Sequence, residues 1–208
     1  MNTTFFITGI STEVGKTVAA AIVTEALKAD YWKPIQAGEL ENTDTHIVQS
    51  WISNSKTVFH PSAFDLATPM SPHAAADIDG VKIKASSIKR PKTSNNLVIE
   101  GAGGLLVPVN GTETIVDLMN PKDKIIVVSQ HYLGSINHTL LTIEALKSRK
   151  LTVFGVIFNG AEHKTTEEII ARMSGVPILG RIDKEPFIDQ NVIIEYAELF
   201  TDELTRKR

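Results

Sequence analysis

The stretch Phe5-Phe6-Ile7-Thr8-Gly9-Ile10-Ser11-Thr12-Glu13-Val14-Gly15-Lys16-Thr17-Val18 decides the fold. The apolar run Phe5–Ile7 leads into a glycine-bounded loop that closes on Gly15-Lys16-Thr17, and a second apolar run, Val18–Val23, follows. We read it as a phosphate loop of the G-x-x-x-x-G-K-[ST] kind, set at the end of a strand and opening a helix. Such a loop turns successive backbone N–H groups toward one point, where a polyphosphate can sit. Lys16 adds a mobile positive charge, and Thr17 offers a hydroxyl to magnesium. The bland alternative is a glycine-rich strand–helix turn without a ligand.

Outward from this loop, continuous apolar strands alternate with helical stretches. That is the pattern of a parallel sheet covered on both faces. The strands are expected at Phe5–Thr8, Tyr31–Ile35, Leu97–Glu100, Ile125–Ser129, Val153–Phe158 and Val176–Leu179. Helices are expected at Lys16–Lys28, Asp44–Trp51, Ser135–Lys147, Lys164–Met173 and Glu195–Thr205, with short pieces near His73–Asp77 and Ala85–Lys89. The predicted fold is α/β: a doubly wound, mostly parallel sheet with helices on both faces and the phosphate loop after its first strand. One domain over residues 1–208 is expected, since no linker or composition break divides the chain. The interval Ser53–Asn95 is the least readable.

Composition narrows the function classes. A net charge of −3 over 208 residues gives no field that gathers nucleic acid. The absence of cysteine excludes disulfides, thiolate metal sites and cysteine nucleophiles, and it is compatible with a cytoplasmic location. The N-terminus reads as no signal peptide, and no apolar run is long enough to span a membrane. The tail Arg206-Lys207-Arg208 reads as a solvated end. The six histidines show no zinc-site spacing, and Trp32 and Trp51 read as packing residues.

In such sheets ligands bind beyond the carboxyl ends of the strands, so residues just after each strand carry the chemistry. Strand Leu97–Glu100 ends in an acid, placed where a magnesium ligand is needed, and Gly101-Ala102-Gly103-Gly104 lets the backbone come close to a ligand. Asp44 reads equally as a helix cap, a first-turn acid or a second magnesium carboxylate. Lys33, beside Pro34, is either an exposed lysine or a cation facing the phosphate loop, where it would hold an anionic substrate. Asn159 is either a turn residue or an amide suited to the edge of an adenine.

Several segments, in order, resemble the dethiobiotin synthetase family: Phe6–Thr17, Lys33-Pro-Ile-Gln-Ala-Gly38, Asn42-Thr-Asp44, Ser71-Pro-His-Ala74, Val98-Ile-Glu-Gly-Ala-Gly-Gly104, Leu133–Thr142 and Gly155-Val-Ile-Phe-Asn159. The resemblance runs from residue 6 to about residue 183. It implies an ATP-dependent ligase that joins carbon dioxide to diaminopelargonic acid and closes a cyclic urea, with ATP as co-substrate. It further implies magnesium on Thr17, Asp44 and Glu100, with Lys16 on the β/γ-phosphates and Lys33 as the catalytic lysine. The ATP-binding set would comprise Glu13, Val14, Gly15, Lys16, Thr17, Val18, Glu100, Gly101, Ala102, Gly103, Asn159, Gly160, Ile182, Asp183 and Lys184. The substrate would meet Thr12, Glu13, Lys33 and Ala37. In a homodimer, Gly134, Ser135, Ile136 and Asn137 of one chain would reach the substrate tail bound by the other. Two positions depart from the family: Ala37 stands where serine or threonine is common, and Asp183 where proline is common. The alternative is a ParA/MinD-type nucleotide switch. Its members usually carry a second lysine early in the loop, where this chain has Ser11 and Thr12.

Overall fold

The computed structural model describes residues 2–206, so Lys207 and Arg208 of the charged tail lie outside the described residues. Along the chain run β1 (Thr4–Gly9), α1 (Lys16–Leu27), β2 (Asp30–Trp32), β3 (Ile35–Ala37), α2 (Asp44–Trp51), β4 (Phe59–His60), β5 (Phe64–Leu66) and α3 (Pro72–Ile78). They are followed by β6 (Leu97–Gly104), β7 (Lys124–Gln130), α4 (Ser135–Ser148), β8 (Val153–Asn159), α5 (Lys164–Ser174), β9 (Ile178–Ile182) and α6 (Gln190–Thr205). Seven strands form one parallel sheet in the order β4-β2-β6-β1-β7-β8-β9, and β3 pairs with β5 in a separate two-stranded sheet.

The period of two along each strand sorts its side chains between two core layers. Phe5 and Ile7 of β1, Tyr31 of β2 and Val98 of β6 pack on one face beneath α1 and α6. Phe6, Trp32 and Ile99, their neighbours in sequence, go to the other face, with Ile143 and Leu146 of α4 and Ile170 of α5. Phe6 is fully buried, and burial of a side chain that size contributes about 1.5–3 kcal/mol. Both faces are covered, which is why these strands read as continuous apolar runs.

Several expected elements differ. The strand expected at Leu97–Glu100 runs on to Gly104, so Glu100 lies within it and the glycines after it continue the strand beside β1. The strand expected at Tyr31–Ile35 is broken at Lys33-Pro34: Pro34 has no N–H for the ladder, and its carbonyl instead accepts from Ala63 and Phe64 N–H. The chain thereby leaves the main sheet after Trp32, and Ile35–Ala37 pairs with Phe64–Leu66. The last strand begins after Pro177 and runs to Ile182, so its end sits beside Asn159. The terminal helix starts at Gln190 rather than Glu195, capped by the Asp189 side chain, which accepts from Val192 N–H at 2.9 Å. In the unreadable middle, His73–Asp77 lies within α3, whereas Ala85–Lys89 yields a single 3₁₀ turn at Ala85–Ser87.

Candidate active site

The loop after β1 carries one residue more than the consensus spacing, because five residues, Ile10 to Val14, separate Gly9 from Gly15. The longer loop fits through two left-handed residues, Glu13 at φ 57° and Gly15 at φ 90°. It is folded tightly on itself. A Cβ on Gly9 would lie 2.6 Å from Val14 Cγ2, and one on Gly15 would lie 2.4 Å from Asn159 Nδ2. Helix α1 begins with no side-chain cap and no acid in its first turn, so its free N–H groups and positive dipole end are left to a ligand.

Beyond the loop lies a cavity of about 690 Å³. Thr12, Glu13, Gly15, Lys16, Thr17 and Val18 form one wall, Lys33, Ala37 and Asp44 a second, and Glu100, Ala102 and Gly103 a third. The fourth is Pro69–Pro72, within the interval that the sequence left unreadable. Asp44 enters it as the first residue of α2. The cap there is Thr43, whose side chain accepts from His46 N–H in a capping box.

Six side chains meet at the bottom. Thr17 Oγ1 lies 3.0 Å from Glu100 Oε1 and 3.2 Å from Asp44 Oδ1. Lys33 Nζ bridges the two carboxylates, 2.6 Å from Asp44 Oδ2 and 2.8 Å from Glu100 Oε1. Lys16 curls back to donate to the Ser11 carbonyl at 3.2 Å. The sixth side chain was not foreseen: the buried phenol of Tyr31 donates to Glu100 Oε2 at 2.7 Å. Its signal was the spacing to Lys33, since residues two apart on a strand share a face. Gln36 was missed as well, and it accepts from Asp44 N–H through Oε1 at 3.3 Å, steadying the start of α2.

The two lysines are tuned in opposite directions. Burial, and then the nearby charge of Lys33, bring Lys16 down to about 8. For Lys33 burial also acts to lower the pKa, but Glu100 and Asp44 outweigh it, so its pKa lies above the ordinary lysine value. Asp44 is held below the usual carboxylate range: burial pushes it up, and Lys33, with Thr17 and Lys16, more than reverses that. The site therefore holds one lysine whose charge is favoured beside another whose charge is disfavoured.

The remaining expected residues fall into two groups. Asn159 ends β8 level with Ile182 of β9, and Gly160 N–H donates to the Ile182 carbonyl, so Asn159, Gly160, Ile182 and Asp183 meet at one corner of the sheet. The Asn159 amide reaches the phosphate loop itself, donating to the Val14 carbonyl at 3.0 Å. Asp183 is turned aside, accepting from Arg181 Nε at 2.9 Å. Gly134–Asn137, at the start of α4, does not line this cavity. It lies among exposed apolar residues, Tyr132, Leu133, Ile136 and Leu141. Two histidines are partnered by buried acids: His60 pairs with Asp30 at 3.1 Å and His131 with Glu167 at 3.0 Å.

A parallel sheet with a Gly-Lys-Thr loop after its central strand, a carboxylate on the adjacent strand and a helix N-terminus facing both defines the class of phosphate-loop nucleotide-binding proteins. A family model described as an AAA domain matches residues 3–192. Solved structures of the cell-division ATPase MinD share the fold. That of Pyrococcus horikoshii, complexed with Mg-ADP, has a TM-score of 0.60 at 13% identity, covering 98% of this chain and 94% of that one. That of Pyrococcus furiosus has a TM-score of 0.61 at 13% identity, covering 95% and 98%. Sequence relatives are nearer. The ATP-dependent dethiobiotin synthetase BioD of Christiangramia forsetii is 60% identical over 98% of this chain and 99% of its own length. That of Cytophaga hutchinsonii is 47% identical over 93% and 94%. The chain belongs to the ATP-dependent dethiobiotin synthetase family.

Proposed function

We propose that the chain acts as one phosphate-loop domain that carboxylates diaminopelargonic acid and closes it to dethiobiotin at the expense of ATP. The observation that carries this reading is the Lys33–Asp44–Glu100–Thr17 cluster at the end of the phosphate loop, in a chain of this family.

The donor set suits a magnesium ion. Thr17, Asp44 and Glu100 offer hard oxygens spaced 3.0 and 3.2 Å apart, close to the roughly 2.9 Å between neighbouring ligands in an octahedral shell of 2.0–2.1 Å bonds. Two carboxylates and one hydroxyl are too few to fill an octahedral shell, so the ion would take its other ligands from phosphate and water. Held by Thr17, Asp44 and Glu100, magnesium would neutralise charge on the phosphates.

The protein's own part is positioning and charge. Lys16 and the loop N–H groups hold the β- and γ-phosphates, and Asn159 faces the adenine. Thr12 and Glu13 lie beside the substrate amines. One amine adds to carbon dioxide as a carbamate. A carbamate oxygen attacks the γ-phosphorus and ADP leaves, giving a carbamic–phosphoric anhydride. The second amine then attacks the carbonyl carbon and expels phosphate, closing the ring. Lys33, kept protonated by its two carboxylates, is suited to stabilising negative charge on the carbamate and the transferred phosphoryl group, not to accepting a proton. Positioning supplies much of the acceleration.

The exposed Tyr132, Leu133, Ile136 and Leu141 support a homodimer in which Gly134–Asn137 reaches the partner's substrate, since clustered apolar exposure marks interfaces. A cytoplasmic setting accords with the cysteine-free chain, and no helix among the described residues is long and apolar enough to cross a membrane. A phosphate-release assay tests the reading. Release should depend on diaminopelargonic acid and bicarbonate together and ignore DNA and lipid vesicles. Stimulation by DNA or vesicles alone contradicts it and favours a nucleotide switch.

A further inference from the structure

We propose that Tyr31 is a positioning residue for the metal-binding carboxylate, orienting Glu100 so that one of its oxygens is always presented to the ion. The proposal rests on the reading that Glu100 holds magnesium for ATP.

The two oxygens of Glu100 have separate partners. Oε1 faces the cavity, where Lys33 and Thr17 contact it at 2.8 and 3.0 Å. Oε2 points into the core and takes the Tyr31 hydroxyl at 2.7 Å, its sole hydrogen-bond partner among the described residues. Glu100 and Tyr31 are both withdrawn from water, at 1% and 0% exposure, so no solvent competes for that oxygen. A carboxylate with one oxygen fixed in this way cannot swing into a two-oxygen mode or turn away from the site. Outer partners of metal ligands commonly act like this.

Tyr31 is itself rigidly set. β2 pairs with β6 in a register that places Tyr31 opposite Val98, two residues before Glu100 on the same face. The start of β2 is fixed by Asp30, whose carboxylate takes Thr93 Oγ1 at 2.6 Å, Asn95 Nδ2 at 3.1 Å, His60 Nε2 at 3.1 Å and Val58 N–H at 3.2 Å. Trp32, facing the opposite way, is pinned by its indole N–H to the Pro61 carbonyl at 3.0 Å. The short strand and the residue that follows it thus send Tyr31 and Lys33 to the same carboxylate, one to each oxygen.

Equilibrium binding of ATP, in excess EDTA and again in saturating Mg2+, tests the assignment with wild type, Tyr31→Phe, Glu100→Gln and the double variant. Phenylalanine keeps the ring against Phe59, 6.0 Å away centre to centre, and removes only the hydroxyl. We expect Tyr31→Phe to bind ATP normally in EDTA but to lose about 10–100-fold of the gain that Mg2+ brings, a loss confined to the metal-dependent step. An undiminished gain overturns the proposal. Should Tyr31→Phe fail to fold, the pair built on Glu100→Gln decides, because it has no buried carboxylate to strand. There Tyr31→Phe should change Mg·ATP binding no further, and an additional loss overturns the proposal. If wild type shows no Mg2+-dependent gain at all, the magnesium reading has failed and this assignment with it, an outcome distinct from a wild-type gain that the variant retains.

Discussion

Lys33 Nζ lies 2.8 Å from Glu100 Oε1, and both side chains are almost fully withdrawn from water, at 6% and 1% exposure. Asp44 completes the bridge from the other side at 2.6 Å. A single buried ammonium thus holds together two carboxylates that would otherwise repel each other. The same group sits where phosphoryl transfer needs positive charge.

Lys33→Ala should therefore lower turnover by about two to four orders of magnitude, the range found when a charge-stabilising donor is lost, while Lys16 and the loop still bind ATP. It should also destabilise the fold by about 3–5 kcal/mol, as expected when one member of a buried pair is removed. Steady-state rates, ATP binding and a denaturant midpoint separate the three effects. Near-wild-type turnover would remove Lys33 from its role.

Lys16 has a different signature. Its pKa of about 8 in the free protein must rise when a polyphosphate binds beside it, so binding takes up a proton. Affinity is then fully expressed below about pH 8 and declines as the pH climbs toward the raised value. Calorimetry just above that pH, in two buffers of different ionisation enthalpy, should show the uptake. Lys16→Arg, charged throughout, should abolish it.

Acid stability should depend on Asp30. Burial raises its pKa, but hydrogen bonds from Thr93, Val58, His60 and Asn95 outweigh this and leave it below the ordinary aspartate value. The stability it contributes is present above the unfolded pKa of about 3.9 and is lost as the pH falls through the lower folded value. Asp30→Asn should cost about 1–3 kcal/mol at neutral pH. Its denaturant midpoint should also fall less steeply than that of wild type below about pH 4.

The long, wholly apolar strands were legible because burial on both faces leaves an unbroken run, as in Ile125–Ser129. Helix α2 was legible over its whole length, Asp44–Trp51. Short elements were not: β4 and β5 have two and three residues, too few for a period to register. The break after Trp32 was written in Pro34, yet its effect depends on where β5 lies, a long-range fact. In the site, Lys16, Thr17 and Glu100 could be read from local motifs. Whether Asp44 is cap or ligand, and whether Lys33 is exposed or buried, could not, since α2 and β2 are brought to Glu100 only by the sheet order. Tyr31 carried only the weak signal of its spacing to Lys33: buried tyrosines are common, and its partner on β6 is a long-range fact.

The account's central claim is a diamine carboxylated and closed at the expense of ATP. Mass spectrometry of the purified protein with ATP, magnesium, bicarbonate and diaminopelargonic acid tests it most directly. The predicted product is heavier than the diamine by a carbonyl group less two hydrogens, requires every component, and takes carbon label from isotopic bicarbonate. ATP hydrolysis with no such product, under conditions where the protein is folded and binds ATP, would contradict the claim.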